Sequence, residues 1–235
     1  AGEGNDPVIG LIAAFIIAMA LSVMGTPLLI RFLVLHHYGQ FIRQDGPTQH
    51  LTKRGTPTMG GVVIILATVV AWLIGALVAG AGPSWSGILL AFLFVGLGTI
   101  GLLDDGIKIM RQRSLGLHPS GKIVGQVAVA SLFAGGTLIR PNEFGELAGT
   151  LEISLARPTP LTLGFAGMAI GVILYLIWAN LIVTAWSNAT NLTDGLDGLA
   201  AGDLRLRCLH LHRLLPAYSG MHAAGREPCG LLFNA

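Results

Sequence analysis

Two long stretches of this 235-residue chain contain no Asp, Glu, Lys or Arg: residues 55–103, 49 in a row, and residues 158–193, 36 in a row. Soluble domains carry about one charged residue in four, so runs of this length rule out an ordinary soluble surface and imply a bilayer. Composition agrees, with 53% apolar residues, 11% charged and a mean hydropathy of +0.71. At about 20 apolar residues per crossing, the chain has room for five to seven transmembrane helices joined by short loops. The basic residues are scattered through those loops without interleaved aromatics, which argues against a nucleic-acid partner. Cys208 and Cys229 lie near the end with no metal-ligand or paired spacing, so neither a disulfide scaffold nor a zinc site is indicated.

In chain order, residues 7–35 are apolar and uncharged up to Arg31. Glu3 and Asp6 stand where a signal peptide needs positive charge, and the run is too long for a signal core, which predicts a retained transmembrane helix. After a polar loop, the 49-residue run is too long for one crossing and is interrupted by GAGPSWSG at 80–87. Two helices are expected, 59–78 and 88–103, with Trp85 at the membrane interface. Asp104 and Asp105 are expected to end the third helix and open a basic loop with Lys108, Arg111, Arg113 and Lys122. A fourth, shorter crossing is expected at 123–139, and a small exposed hairpin within 140–157, where LEISL alternates. A fifth helix should run from about 161 to 186. The expected fold class is therefore all-α, a polytopic membrane bundle with five crossings.

The loops after the first and third helices hold seven Lys or Arg, Arg43, Lys53, Arg54, Lys108, Arg111, Arg113 and Lys122, against none at 80–87 and two at 140–160. The positive-inside rule makes the first set cytoplasmic and the N-terminus external. Five crossings then bring residues 187–202, SNATNLTDGLDGLAAG, out in the cytoplasm as well. Beyond them, Asp203, Arg205, Arg207 and Arg213 crowd a segment that also holds His210 and His212. Each charge at a helix centre costs about 2.5–3.5 kcal/mol on insertion scales, so this piece should not span. It could lie on the surface as an amphipathic helix. The expectation preferred here is that the reading frame departs from the natural one near residue 203, leaving a membrane domain at 1–202 and an atypical polar tail at 203–235.

Three polar constellations carry chemistry. In HLTKRGTPTMGG at 50–61, Lys53 precedes a helix N-terminus whose free N–H groups favour an anion such as a diphosphate, while Pro57, Thr56 and Thr58 also serve as ordinary helix-entry residues. In LDDGIK at 103–108, adjacent carboxylates near lipid call for a cation, either a metal or a basic side chain, and Lys108 lies one turn on. In the stretch at 187–202, Asn188, Asn191, Asp194 and Asp197 recur every third residue and would form one polar stripe on a helix. Asp104, Asp105, Asp194 and Asp197 would suit magnesium, which needs one or two carboxylates plus phosphate oxygens and water. Asn amides can bind a uracil or sugar edge without competing for the cation.

Together GTPTMGG, LDDxxK and NAxNLTDGLDGL resemble the phospho-N-acetylmuramoyl-pentapeptide transferase family, over residues 7–202 and in order. The resemblance implies magnesium-dependent transfer of phospho-MurNAc-pentapeptide from UDP-MurNAc-pentapeptide to undecaprenyl phosphate, giving lipid I and UMP for peptidoglycan synthesis at the bacterial inner membrane. It implies catalytic roles for Asp104, Asp105 and Lys108, with either carboxylate able to remove a proton or position the acceptor. Lys53, Thr58, Asn188, Asn191, Asp194 and Asp197 would bind substrate, and a homodimer is left open. Family members continue for several more helices, with a further metal-binding aspartate and a histidine-rich motif; neither occurs here, and His210 and His212 stand in another context. The chain is thus expected to hold half of the family's site. Competing readings are a sister enzyme moving N-acetylglucosamine phosphate onto the same carrier, a transporter or channel with acidic residues buried mid-helix, and a non-catalytic membrane fragment.

Overall fold

The computed structural model describes residues 7–36, 59–80, 82–112, 115–141, 147–154 and 158–193, together with Gly202. Among the described residues five helices are long and apolar enough to cross a membrane: α1 (Pro7–Leu35), α2 (Gly61–Val78), α3 (Trp85–Met110), α4 (Pro119–Ile139) and α5 (Met168–Thr193). The chain is a multi-pass membrane protein of all-α class. Without water to satisfy N–H and C=O groups, a lipid-facing backbone must bond within its own helix, which is why the apolar runs become helices. Two compact units divide the chain, Ala1–Thr184 and Ala185–Ala235, and the boundary falls inside α5.

Several expected boundaries shift; α2 starts at Gly61 and not 59, α4 already at Pro119 and not 123, and α5 runs on to Thr193 and not 186. The third helix does not stop at the two aspartates: α3 runs to Met110, so Asp104, Asp105 and Lys108 are all helical and open no loop. Lys108, in the last turn, compensates the carboxylates there, and the helix ends where Gln112 turns left-handed at φ 49°. At its start Ser84 caps, its hydroxyl accepting from Gly87 N–H at 3.1 Å, so α3 begins before residue 88. The fifth helix begins at Met168 and not near 161, because residues up to Thr162 form a strand and Leu163–Ala166 a turn of 3-10 helix. Here β1 (Glu152–Ser154) pairs antiparallel with β2 (Pro158–Thr162), in register Glu152↔Thr162 and Ser154↔Pro158. The expected hairpin therefore exists but extends past 157. Pro158 and Pro160 fit a two-stranded edge, which needs few donors, and Gly167 at φ 100° turns the chain into α5.

Packing relies on small residues, since lipid tails give apolar side chains no reason to prefer one another. On α2, Ala67, Ala71 and Gly75 recur every fourth residue and are buried. A Cβ on Gly75 would lie 2.7 Å from Ala14 Cβ and 2.8 Å from the Gly10 carbonyl of α1, so only hydrogen fits. Helix α4 buries Ala130 and Ala134 fully, and it meets α3 at other small positions: a Cβ on Gly125 would lie 3.2 Å from Ile100 Cδ1 and one on Gly136 2.5 Å from a Leu89 methyl. Polar ties add direction. Trp85 Nε1 donates to the Gly136 carbonyl at 3.1 Å, Thr137 and Tyr175 hydroxyls meet at 2.9 Å, and Asn180 Nδ2 donates to Ser131 Oγ at 2.9 Å.

Gly75→Val should lower the thermal midpoint in detergent, overpacking costing about 1–3 kcal/mol. Gly101→Ala, where nothing lies within 4 Å, should not. A Gly75→Val protein melting with the parent would refute the seam.

Candidate active site

Helix α3 has 26 residues, about 39 Å at 1.5 Å per residue, against a hydrocarbon core of about 30 Å. Its last two turns can therefore reach the membrane surface, and they hold the polar cluster. The i, i+3 and i, i+4 spacings put Lys108 over both carboxylates. Its Nζ lies 2.8 Å from Asp104 Oδ2 and 2.9 Å from Asp105 Oδ1. One ammonium thus offsets one of two negative charges, leaving a net anion.

The two carboxylates differ. Asp104 accepts a second bond at Oδ1, from the Leu117 N–H at 2.8 Å, and its side chain is 15% exposed against 33% for Asp105. Leu117 belongs to the turn that carries the chain from α3 into α4, where His118 stands at the N-cap of α4 and pairs through Nδ1 with Ser120 Oγ at 2.7 Å. Asp104 is therefore pinned on two sides, and Asp105 is the more open carboxylate.

The first constellation ends at the same height on α3 as this cluster but on another face, since Gly106 is two residues from both Asp104 and Lys108 and so points away from them on a helix. Met59, in the left-handed region at φ 70°, enters α2, and a Cβ on Gly106 would lie 3.8 Å from Met59 Cε. The structure thus places the end of the 50–61 motif beside the helix turn that carries Asp105 and Lys108. Lys53 and Thr58 lie outside the described residues. So do Asp194, Asp197 and the 203–235 tail. Asn188 and Asn191 sit three residues apart on the last turns of α5, as the periodicity predicts, in the second unit. Their neighbours Thr190 and Thr193 bond back to the Trp186 and Ala189 carbonyls at 2.9 and 2.8 Å.

Among the described residues no group of three or more His, Cys, Asp or Glu converges. Two adjacent carboxylates are nonetheless a hard oxygen donor set, and magnesium commonly takes only one or two protein carboxylates with phosphate and water as the rest. The donors present fit that ion. Sequence reasoning missed Leu117 N–H and Gly116, because a backbone donor in a turn leaves no side-chain signature.

Residues 85–223 match glycosyl transferase family 4, and the chain belongs to that family. Within it, residues 53–65 match signature 1 of phospho-N-acetylmuramoyl-pentapeptide-transferase. Proteins of that name from Beutenbergia cavernae and Micrococcus luteus are each 55% identical to this chain, covering 83% of it and 54% of their own length. One from Bifidobacterium adolescentis is 44% identical over 96% of this chain and 62% of its own. The chain spans about half the length of the curated relatives it matches.

Asp104→Ala removes the acceptor of the part-buried Leu117 N–H together with the Lys108 pair and should cost about 1–3 kcal/mol of stability. Asp105→Ala loses only a half-exposed ion pair, worth about 1 kcal/mol at most. Unfolding titrations in mixed micelles would compare them; a larger loss for Asp105→Ala would contradict the pinning of Asp104.

Proposed function

We propose that the chain carries the carboxylate–lysine part of a phosphoglycosyl transferase that moves phospho-N-acetylmuramoyl-pentapeptide from UDP to undecaprenyl phosphate. The observation that supports this most is Lys108 held between Asp104 and Asp105 at one end of a membrane span, in a chain whose relatives bear that enzyme's name. A transport path would call for acidic residues midway along a span; this pair lies in the last two turns of α3.

In the proposed reaction an oxygen of the lipid phosphate attacks the sugar-bearing phosphorus of the diphosphate. A new P–O bond forms to the lipid phosphate, the P–O bond to UMP breaks, and the lipid-linked sugar diphosphate remains in the membrane. Such transfers need positioning and charge neutralisation more than covalent chemistry. Asp105, the more exposed carboxylate, accepts the residual proton of the acceptor phosphate or orients it. Asp104 holds Lys108, whose charge faces the phosphates. Asp104 and Asp105, with Asp194 and Asp197 from the third motif, are the proposed magnesium ligands. The ion would neutralise diphosphate charge. Lys53, Thr58, Asn188 and Asn191 are proposed to bind the diphosphate, sugar and uracil. The proposed orientation faces this end of α3 to the cytoplasm of a bacterial plasma membrane, with the N-terminus outside. That orientation is supported by the Lys and Arg bias of the loops.

Purified chain with magnesium, UDP-MurNAc-pentapeptide and undecaprenyl phosphate should release UMP, and Asp105→Asn should lower the rate by about 100-fold, the scale of losing one charged group at a transferred phosphoryl. Absence of release from the parent would sink the proposal for this chain. A preference for UDP-N-acetylglucosamine in competition would transfer it to the sister activity.

A further inference from the structure

The turn between α3 and α4 approaches Asp104 more closely than a side chain would permit. A Cβ built on Gly116 would collide with Asp104 Oδ1, and it would lie 2.7 Å from the Asp104 carbonyl oxygen and 2.8 Å from its Cγ. The next residue, Leu117, supplies the N–H that reaches Asp104 Oδ1 at 2.8 Å. On the other side of the carboxylate, Lys108 holds Oδ2 at 2.8 Å. Both oxygens of Asp104 thus have a fixed partner, one from its own helix and one from the turn. Lys108 is in turn shared with Asp105 at 2.9 Å.

We propose that Gly116 is a positioning residue, whose missing side chain lets the turn close on Asp104 so that Leu117 N–H sets the carboxylate and, through Lys108, the placement of Asp105. This rests on the functional reading above for the reaction concerned, while the clasp itself is a matter of geometry. The chain of contacts is short and directional. Adding one methyl group at Gly116 changes no charge and removes no polar atom, yet it must displace the turn from the carboxylate or rotate the carboxylate away from Lys108. A geometric error of about 1 Å in a positioned group is enough to cost about 100-fold in rate. The loss should fall on kcat, because the donor's binding groups are left in place.

Two readouts on the purified chain in detergent test this. In hydrogen exchange, the Leu117 amide of the parent should be protected. Gly116→Ala and Asp104→Ala should each speed its exchange at least tenfold, and Asp104→Asn, whose amide oxygen still accepts, should speed it less than threefold. In UMP release, Gly116→Ala should lower kcat at least tenfold with the KM for the UDP substrate within twofold. Rapid exchange of Leu117 in the parent, unchanged exchange in Gly116→Ala, or altered exchange with kcat intact would each overturn the proposal, as would a loss confined to KM. A parent that releases no UMP would instead reject the functional reading, and the exchange experiment would then decide on the clasp by itself.

Discussion

A charge in hydrocarbon is expensive, and the placement of charge in this protein follows from that cost. Over residues 55–103 and 158–193 the chain carries none, and those stretches supply α2, most of α3, and α5. Charges return at helix ends and in the connections between them. At the end of α3 they return as a set of three, two carboxylates sharing one ammonium, which lowers the cost of each by pairing. The trio by itself carries one net negative charge, with Lys122 within electrostatic reach of Asp104, a suitable place for a cation and a phosphate-bearing substrate to meet. Solvent constraint and chemical capacity are here one arrangement.

Small residues do the rest of the work. Gly75 against Gly10 and Ala14, and Gly125 and Gly136 of α4 against Ile100 and Leu89 of α3, bring backbones close enough for dispersion to hold helices that have no hydrophobic driving force in lipid. The closeness of α3 and α4 matters for the site, since the turn joining them must pass against Asp104. Packing by glycine and alanine in the spans and the glycine in the turn are therefore parts of one geometry: the helices approach, and the connecting backbone becomes a ligand for a side chain.

Much of this was legible in the chain itself. The five spans, the i, i+3 and i, i+4 relation of Lys108 to the carboxylates and the helical register of Asn188 and Asn191 follow from periodicity and hydropathy. The misread boundaries have identifiable causes. Residues 161–167 are uncharged, and hydropathy does not distinguish the end of a strand and a 3-10 turn from the first turns of a helix over so short a run; the prolines at 158 and 160 and the glycine at 167 are the better signal. Charge marks the end of hydrocarbon, so the sequence predicts a helix end at Asp104 and Asp105, but a helix satisfies its own hydrogen bonds and can continue into water.

Composition and spacing determined that this chain crosses a membrane and that its acidic motif carries its own counter-charge one turn away, because both depend only on the cost of burying charge and on 3.6 residues per turn. Tertiary structure alone decided that the two aspartates are unequal, that Met59 comes to rest beside Gly106, and that a turn glycine and a backbone N–H hold Asp104. Those facts depend on where α2 and α4 lie against α3, and no local periodicity encodes the approach of one backbone to another.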